Sequence, residues 1–418
     1  MNNKRVRICI VGGGFGGLYT ALHLNRHPGV KSGRWQLFLI EPKEHFLFTP
    51  LLYEVITGEL QRWEIAPSYR QLFHGTKINF INKKATEIKL ESKGICLENG
   101  EVLVYDYLVL VVGNQNRTPA IPGLAQQALT FRTMEDVERL NIAIHALENR
   151  EKLKFRVAIV GGGANGVELA CKLADRIGDK GTIQLIESNG EILRHFPPGV
   201  RTAGYRSLLS RGVEISLNTS LEFVTADAIT IIHEGERSVI PVDVIIQTVG
   251  TAPREIITNL NCSQTAAGKL MVQPSLQLLQ YPEVFALGDI AAIDNSKKPL
   301  PATAQAAYQA SSLVAKNIGL LIQNKPLKAY KYLHLGDMLT LGKKRAIISS
   351  YGINMTGRLA DIIRRLAYIL RLPTRAHQLK VLQHWFKNTL LKISRRLRWQ
   401  YNQLMGNKSV SPYEENSR

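Results

Sequence analysis

Two glycine-rich loops constrain the fold of this chain more than any other feature. Residues 6–11 (VRICIV) form an apolar run, the loop 12–17 (GGGFGG) follows, and residues 18–24 take up helical spacing. The same order recurs further along, where the apolar run 156–160 (RVAIV) leads into the loop 161–166 (GGGANG). A buried strand, a tight glycine turn and a helix are the parts of a parallel α/β unit. We therefore predict an α/β chain with two Rossmann-like domains.

The spacing within each loop assigns roles to individual residues. The first glycine permits a tight turn, the third lets the backbone approach a pyrophosphate, and the last lets helix and strand pack closely. The strand after each loop ends in a carboxylate that can accept ribose hydroxyls. The candidate residues are Gly12, Gly14, Phe15, Gly16, Gly17 and Glu41 for the first unit, and Gly161, Gly163, Gly166 and Glu187 for the second. Two such units in one chain predict two dinucleotides bound at once.

Glu187 also bears on which nicotinamide nucleotide the second unit binds. A carboxylate at this position favours the free 2′-hydroxyl of NADH and repels the 2′-phosphate of NADPH. Arg194 lies close enough to it in sequence to obscure this preference. The sequence thus favours NADH but leaves both nucleotides open.

Length and composition set the remaining bounds. A chain of 418 residues with 45% hydrophobic residues predicts two domains and an appendage. The four cysteines (Cys9, Cys96, Cys171, Cys262) have no metal or disulfide spacing, so we expect reduced, packed thiols and no metal site. Residues 1–7 lack the apolar segment of a signal peptide, and no run reaches the ~18 apolar residues of a spanning helix. Any membrane contact is therefore expected to be peripheral.

Residues 284–289 (VFALGD) are a third motif, which points to a known family. An apolar strand closing on Gly-Asp resembles the second FAD motif of the two-dinucleotide-binding-domain flavoproteins. The resemblance implies FAD at the first loop, with Asp289 near its ribityl and pyrophosphate groups. Residues 107–113 (YLVLVVG) and 244–250 (VIIQTVG) resemble the strands that cross between the two domains, with Gly113 and Gly250 at their ends. The expected order is FAD domain 1–118, NAD(P)H domain 119–280, FAD domain again 281–328, a C-terminal membrane and quinone region 329–405, and a disordered tail 406–418.

Three further segments resemble the type II NAD(P)H:quinone dehydrogenases. Residues 45–53 (HFLFTPLLY), with Thr49 and Pro50, resemble the flavin-lining segment of that family, and Glu168 in 166–168 (GVE) matches a glutamate near flavin and nicotinamide. Residues 304–309 (AQAAYQ) resemble its quinone-site helix, which implies quinone contacts by Ala304, Gln305, Tyr308 and Gln309. The chain has no C-x-x-C of a disulfide reductase, and its cysteines do not supply the set that a sulfide:quinone oxidoreductase needs.

Within that family the chain is similar to the cyanobacterial and plastid C-type branch, which includes demethylphylloquinone reductases. The similarity lies in residues 63–67 (WEIAP), 335–342 (LGDMLTLG) and 366–374 (LAYILRLPT). It implies hydride transfer from NADH or NADPH to FAD, then two electrons to a membrane quinone of the demethylnaphthoquinone type, in phylloquinone synthesis and without proton pumping. The alternatives are a respiratory enzyme using plastoquinone or menaquinone, a slow redox-sensing flavoprotein, and a ferredoxin or rubredoxin reductase.

The net charge of +19 is concentrated towards the C-terminus. Residues 358–398 contain eleven Lys or Arg and one acid, Asp361, and their apolar residues recur at helical spacing on both sides of a break at 372–374 (LPT). This pattern predicts two basic amphipathic helices lying on an anionic membrane surface. The alternative is that both helices pack on the core. The expected location is the cytoplasmic face of a plasma or thylakoid membrane, as a monomer or homodimer, and no nucleic-acid module is present.

Overall fold

A computed structural model describes residues 5–149, 154–294 and 300–404. The chain divides into two compact units, residues 1–365 and 366–418. The predicted disordered tail, 406–418, lies outside the described residues. No helix in the described ranges is both long and apolar enough to cross a bilayer.

The described strands are numbered in chain order. The first twelve are β1 (Val6–Val11), β2 (Trp35–Ile40), β3 (Ile78–Ile81), β4 (Ala85–Lys89), β5 (Gly94–Leu97), β6 (Val102–Val104), β7 (Tyr107–Leu110), β8 (Asn114–Asn116), β9 (Leu129–Thr130), β10 (Phe155–Val160), β11 (Gly181–Ile186) and β12 (Glu214–Ser216). The others are β13 (Thr219–Val224), β14 (Ala228–His233), β15 (Glu236–Pro241), β16 (Val244–Gln247), β17 (Thr251–Pro253), β18 (Leu270–Val272), β19 (Val284–Ala286), β20 (Ala291–Ile293), β21 (Asp337–Thr340), β22 (Ala346–Ser350) and β23 (Ile353–Gly357).

The described α-helices are numbered in the same way. They are α1 (Phe15–Asn25), α2 (Pro28–Lys31), α3 (Tyr53–Ile56), α4 (Arg62–Ile65), α5 (Tyr69–Leu72), α6 (Leu124–Gln127), α7 (Met134–Glu148), α8 (Ala164–Ile177), α9 (Pro198–Leu209), α10 (Glu255–Thr258), α11 (Ala304–Ile322), α12 (Arg358–Ile369) and α13 (Arg375–Leu404). Short 3₁₀ turns lie at Thr49–Leu51, Gly178–Lys180 and Gly288–Ile290.

Two parallel five-stranded sheets form the frame of the larger unit. The first has the order β19-β7-β1-β2-β3, and the second has the order β12-β11-β10-β16-β9. Their central strands β1 and β10 are buried along most of their length, because a parallel sheet is covered on both faces and its strands read as continuous apolar runs. The sequence prediction of two Rossmann-like units is confirmed.

The chain passes between the two sheets on a short antiparallel pair, β8 with β17. The predicted crossing strands, 107–113 and 244–250, instead begin inside the two sheets as β7 and β16. Each ends at a glycine with positive φ, Gly113 at 62° and Gly250 at 87°, and the crossing strand follows. The strands that cross between the domains therefore begin a few residues later than the sequence predicts. The apolar runs that led to the prediction belong to the sheet strands β7 and β16.

The segment just before residue 280, the end predicted for the NAD(P)H domain, already packs with elements that follow it. β18 pairs in parallel with β20, which comes directly after the Gly-Asp turn. The amide of Asn317 on α11 donates to the carbonyl oxygen of Ser275 at 3.0 Å. Residues 270–280 thus pack with elements of the predicted second FAD segment, and β19 from that segment completes the first sheet.

The smaller unit contains the end of α12 and helix α13. The predicted break between two helices is confirmed, since α12 ends at Ile369 and α13 begins at Arg375. The amide of Gln378 closes the turn by donating to the carbonyl oxygens of Leu370 and Leu372, at 3.2 and 2.8 Å. The apolar residues that recur at helical spacing after the break include Leu379, Phe386 and Ile393. On α13, Leu379 and Phe386 are exposed, whereas the side chain of Ile393 lies outside the described residues.

Candidate functional site

The first glycine loop is shaped so tightly that side chains are excluded at its two ends. Gly12 has φ of 107°, and a Cβ there would lie 2.5 Å from the carbonyl oxygen of Val111. A Cβ on Gly17 would lie 1.8 Å from the carbonyl oxygen of Gly12, and one on Gly16 would lie 2.4 Å from the Val111 side chain. Gly14, by contrast, has nothing within 4 Å. The loop is therefore closed towards the protein and open at Gly14.

The second loop repeats this geometry. Gly161 has φ of 113°, a Cβ on Gly166 would lie 1.8 Å from the carbonyl oxygen of Gly161, and Gly163 has nothing within 4 Å. Helices α1 and α8 begin directly after the two open glycines, without a side-chain cap and without an acid in the first turn. Each unpaired helix N-terminus can therefore receive the negative charge of a pyrophosphate.

The two predicted carboxylates lie beside the loops in matching positions. Glu41 accepts from the backbone N–H of Gly13 at 2.7 Å and from that of Lys43 at 3.1 Å. Glu187 accepts from the N–H of Gly162 at 2.6 Å and from that of Asn189 at 2.8 Å. Burial alone would raise the pKa of Glu187, but the hydrogen bonds from Asn189 and Gly162 outweigh it and lower that pKa. In a dinucleotide-binding unit, a carboxylate at this position accepts the adenosine ribose hydroxyls. These features fit a dinucleotide at each loop.

The other residues predicted for the flavin side lie around the first loop. Phe15 packs edge-on against Phe46 and Phe48, with ring centroids 5.3 and 5.2 Å apart. Thr49 and Pro50 begin the 3₁₀ turn after Phe48.

Asp289 lies in the 3₁₀ turn that follows β19 in the first sheet. Its carboxylate is 3.8 Å from the guanidinium of Arg132, which follows β9 of the second sheet. Asp289 therefore lies where the two sheet regions meet.

The sequence predicts four packed cysteines, and the structure buries Cys9 and Cys171 but leaves Cys96 and Cys262 partly exposed. Burial raises the pKa of the Cys9 thiol to about 12 and that of Cys171 to about 11. A thiol with so high a pKa stays protonated at neutral pH and is a poor nucleophile. Burial has the same effect on Cys262, whose pKa is raised to about 11.

Glu168, the predicted catalytic residue, is buried on the first turns of α8. Its Oε1 accepts from the backbone N–H of Thr340 at 2.8 Å. Burial raises its pKa to about 8, despite this hydrogen bond and the positive charges of Arg364 and Lys172. The carboxyl group therefore carries a proton at neutral pH, next to the second glycine loop. On the same side, the hydroxyl of Tyr53 donates to the side chain of Asn165 at 2.8 Å.

Sequence reasoning missed a buried cluster of ion pairs beside Glu168. It contains three cations and three carboxylates, and each cation contacts two of the carboxylates. Its members are Lys172 on α8, Glu54 and Glu59 in and after α3, and Asp361, Arg364 and Arg365 on α12. The three cations already balance the three carboxylates of the cluster. If Glu168 were ionised, it would be a fourth carboxylate without a cation of its own. This balance agrees with the proton that burial keeps on Glu168.

The positive charges outweigh burial at two of these carboxylates. Burial alone would raise the pKa of Glu59, but Lys172 and Arg365 lower it to about 2. Burial is likewise outweighed at Glu54, whose pKa is lowered by Arg364, Lys172 and Arg365. Lys172 did carry a sequence signal, since a cation four residues after Glu168 interrupts an apolar helix face.

The cluster fixes the orientation of α12. Arg364 and Arg365 belong to the eleven basic residues that the sequence places at an anionic surface, yet the side chain of Arg364 is 0% exposed and that of Arg365 is 15% exposed. The apolar residues of the same helix lie outside instead, with Leu359 at 60% and Ile362 at 54% exposure. Two of the eleven basic residues thus neutralise buried carboxylates. The remaining surface of the helix is more apolar than predicted.

The predicted quinone residues lie at the start of α11, where two of them bind the segment before β21. The Oε1 of Gln305 accepts from the hydroxyl of Tyr332 at 2.6 Å. Both ends of the Gln309 amide bind the backbone of Leu333, at 2.8 and 3.0 Å. Tyr308 packs edge-on against Tyr19 of α1, with centroids 4.7 Å apart, and Ala304 is the first residue of the helix. Gln309 and Tyr308 therefore have structural partners.

Comparison with known proteins agrees with this arrangement. The family model for pyridine nucleotide-disulphide oxidoreductases matches residues 6–311. The chain is similar to the demethylphylloquinone reductase NdbB of Synechocystis sp., at 39% identity, over 93% of this chain and 98% of that protein. It is also similar to the alternative NAD(P)H-ubiquinone oxidoreductase C1, chloroplastic/mitochondrial, of Arabidopsis thaliana, at 34% identity, over 92% of this chain and 81% of that protein.

A solved structure has the same fold. The structure of NDH2 from Plasmodium falciparum in complex with NADH has a TM-score of 0.83, with 18% identity, over 92% of this chain and 98% of that one. Two glycine loops with matched carboxylates, on a chain that aligns with these relatives along nearly its whole length, place it among them. The chain belongs to the pyridine nucleotide-disulphide oxidoreductase family, in the group of type II NAD(P)H:quinone oxidoreductases.

Proposed function

We propose that this protein is an FAD-dependent NAD(P)H:quinone oxidoreductase whose acceptor is a demethylated naphthoquinone such as demethylphylloquinone. The observation that carries the proposal is the pair of matched glycine loops in a chain 39% identical to a demethylphylloquinone reductase. FAD is assigned to the loop 12–17 with Glu41 and Asp289, and NADH or NADPH to the loop 161–166 with Glu187. A respiratory role with plastoquinone or menaquinone uses the same chemistry and differs only in the acceptor.

The chemistry of the cofactor defines what the chain must supply. When bound, FAD accepts a hydride from a nicotinamide nucleotide and passes two electrons on to an acceptor. Reduction of a quinone to a quinol also takes up two protons. Glu168 is suited to hold one of them, on the oxygen that does not accept from Thr340, because its carboxyl group stays protonated up to a pH of about 8.

A panel of acceptors tests this function. We expect NADH or NADPH to bleach the bound flavin rapidly, and a demethylated naphthoquinone to restore its colour faster than plastoquinone or menaquinone does. Faster recovery with menaquinone or plastoquinone would favour the respiratory role. No rapid recovery with any quinone would contradict quinone reduction altogether and favour a redox sensor or a ferredoxin reductase.

Replacing Glu168 with glutamine is expected to lower kcat by roughly a hundredfold, the lower end of the range for a lost general acid. Glutamine keeps an acceptor for the Thr340 N–H but cannot release a proton. FAD content should not change, because Glu168 lies on the second glycine unit. In the unaltered protein, kcat should fall above a pH of about 8 as the carboxyl ionises, and the variant should lose this step. Steady-state rates with and without the substitution, measured from pH 6 to 10, check this.

The protonation of Glu168 also predicts how the free energy of unfolding depends on pH. Its pKa is raised on folding, so unfolding releases its proton and the free energy of unfolding decreases as the pH rises from about 4.5 to about 8. The glutamine variant should lose that slope. A variant with an unchanged pH profile and an unchanged kcat would remove Glu168 from the mechanism.

We assign quinone contact to Gln305 rather than to Gln309. The Oε1 of Gln305 is occupied by Tyr332, which orients the amide and leaves its N–H groups as donors for a quinone carbonyl. Gln309 uses both ends of its amide on Leu333. Ala304 and Tyr308 lie on the same helix as Gln305 and belong to the proposed contact region.

The exposed apolar side of α12 is the proposed membrane contact, and the proposed location is peripheral, on the cytoplasmic face of the membrane. Leu359, Ile362 and Ile363 are exposed on this helix, and basic residues flank it on both sides. An apolar helix side with basic neighbours suits insertion at the level of anionic headgroups.

A double substitution, Leu359→Gln with Ile362→Gln, is expected to weaken binding to anionic vesicles by tenfold or more. Each buried aliphatic side chain contributes roughly 1.5–3 kcal/mol to insertion. Co-sedimentation with vesicles measures the effect, and Ile142→Gln with Val239→Gln is the control, because both residues are exposed elsewhere on the chain. Unchanged sedimentation of the first variant, or an equal loss in the control, would rule out α12 as the contact.

A further inference from the structure

An arginine at the second glycine unit has no part in the function proposed so far. Arg194 is exposed, and its guanidinium donates to the side-chain oxygen of Asn189 at 2.9 Å. Asn189 in turn donates to Oε1 of Glu187 from both its backbone N–H and its side-chain amide. One neutral side chain therefore separates Arg194 from the carboxylate assigned to the adenosine ribose.

The backbone holds Arg194 in this position. The preceding residue, Leu193, has φ of 51°, in the left-handed region that a leucine rarely adopts. Its N–H donates to the carbonyl oxygen of Gly162 at 2.8 Å, and its side chain is buried. Such a conformation persists only when the surrounding structure enforces it. Arg194 is thus fixed at the rim of the glycine loop rather than carried on a free surface segment.

Arg194 also lacks a carboxylate partner. Within the described part of the chain, Arg194 forms no ion pair. The nearby carboxylate of Glu191 is already paired with Arg201. A guanidinium bonded only to a neutral amide can exchange that partner for an anion at little cost. Its planar set of N–H donors matches a phosphate group.

The first glycine unit provides an internal comparison. Glu41 accepts from the backbone N–H two residues later, as Glu187 does. Seven residues after Glu41, however, the chain has Phe48, which is buried in the aromatic cluster. The exposed arginine at this spacing is thus found only at the unit assigned to NADH or NADPH, the pair of nucleotides that differ by a phosphate.

We propose that Arg194 admits NADPH to this site alongside NADH, by leaving Asn189 and pairing with the 2′-phosphate. For NADH, Glu187 accepts the ribose hydroxyls and Arg194 stays on Asn189. For NADPH, the guanidinium offsets the repulsion between the phosphate and Glu187. This inference rests on the proposed function only in taking the loop 161–166 as the nicotinamide-nucleotide site.

Titration calorimetry of the FAD-loaded protein with NAD⁺ and NADP⁺ tests the proposal without turnover. Arg194→Gln is expected to weaken NADP⁺ binding about tenfold or more, as for a lost charge-assisted hydrogen bond, and to change NAD⁺ binding less than twofold. Arg206→Gln, which removes another exposed charge from α9, should change neither. Glu187→Gln should shift the preference towards NADP⁺. The ratio of KM for NADPH to KM for NADH should follow the same pattern.

The outcomes separate this inference from the function on which it rests. Equal weakening of both nucleotides by Arg194→Gln, or no weakening of either, would overturn the role of Arg194 while leaving a nicotinamide site in place. The same holds if the unaltered protein binds NAD⁺ but not NADP⁺. Failure of the unaltered protein to bind either nucleotide would overturn the proposed function and this inference with it.

Discussion

A Gly17→Ala protein is expected to be purified without FAD, whereas a Gly166→Ala protein is expected to keep FAD and lose its affinity for NADH. The two substitutions create the same clash, since each new Cβ would lie 1.8 Å from a backbone carbonyl oxygen of its own loop. No rotamer change can relieve a contact between Cβ and backbone, so the helix must move away from its strand. The phosphate site at the helix N-terminus is lost with that movement.

Flavin absorbance of the purified protein and calorimetric titration with NAD⁺ measure the two losses separately. Gly94→Ala is the matched control, because its Cβ would meet no backbone atom, and its nearest neighbour would be a Val102 side-chain atom at 3.3 Å on the edge strand β6. The assignment of the two loops would be reversed if Gly166→Ala lost FAD and Gly17→Ala kept it. Full FAD content and unchanged NAD⁺ affinity in both variants would contradict both sites.

An Arg364→Met protein is expected to lose about 3–5 kcal/mol of unfolding free energy, the usual result of removing one partner of a buried ion pair. The substitution leaves Glu54 fully buried, with Lys172 3.8 Å away as its remaining cation in the cluster. Methionine fills much of the volume, so the loss comes from the uncompensated charge rather than from a cavity. Adding Glu54→Gln to this variant removes that charge and should recover part of the stability.

Urea unfolding followed by circular dichroism and flavin fluorescence measures these changes. Arg358→Met is the matched control, since Arg358 is exposed on the same helix and its loss should stay within about 0.5 kcal/mol. If Arg364→Met does not accumulate in folded form, Arg364→Lys retains the charge and should restore folding. A loss in Arg364→Met no larger than in the control would show that the cluster contributes nothing to stability.

Most of the frame could be predicted because its signals are local. An apolar β-branched run, a glycine loop and a helical repeat occur within about thirty residues, and each assigned glycine has a reason within its own loop. For the same reason Glu41 and Glu187 were identified correctly as the carboxylates beside the loops. Each follows its loop by a helical connection and one strand, and parallel pairing of β1 with β2 and of β10 with β11 returns it to the loop.

The C-terminal helices show what local sequence patterns cannot predict. The repeat of apolar residues predicted α12 and its end before Pro373, but it could not tell which side of the helix faces the protein. An amphipathic helix with one charged side usually buries the apolar one. Here the charged side is inside, because Glu54 and Glu59 offer two buried carboxylates that Arg364 and Arg365 neutralise.

The sequence by itself determined the two dinucleotide folds, the glycines that close them and the carboxylates beside them, because those features depend on neighbouring residues and on the period of a strand or helix. Only the tertiary structure decided the orientation of α12, the charge balance that leaves Glu168 protonated, and the contact from Arg194 through Asn189 to Glu187. Arg364 and Glu54 are 310 residues apart in the chain. A pairing over that separation has no local signature, since it depends on which buried surfaces meet once the sheets have formed.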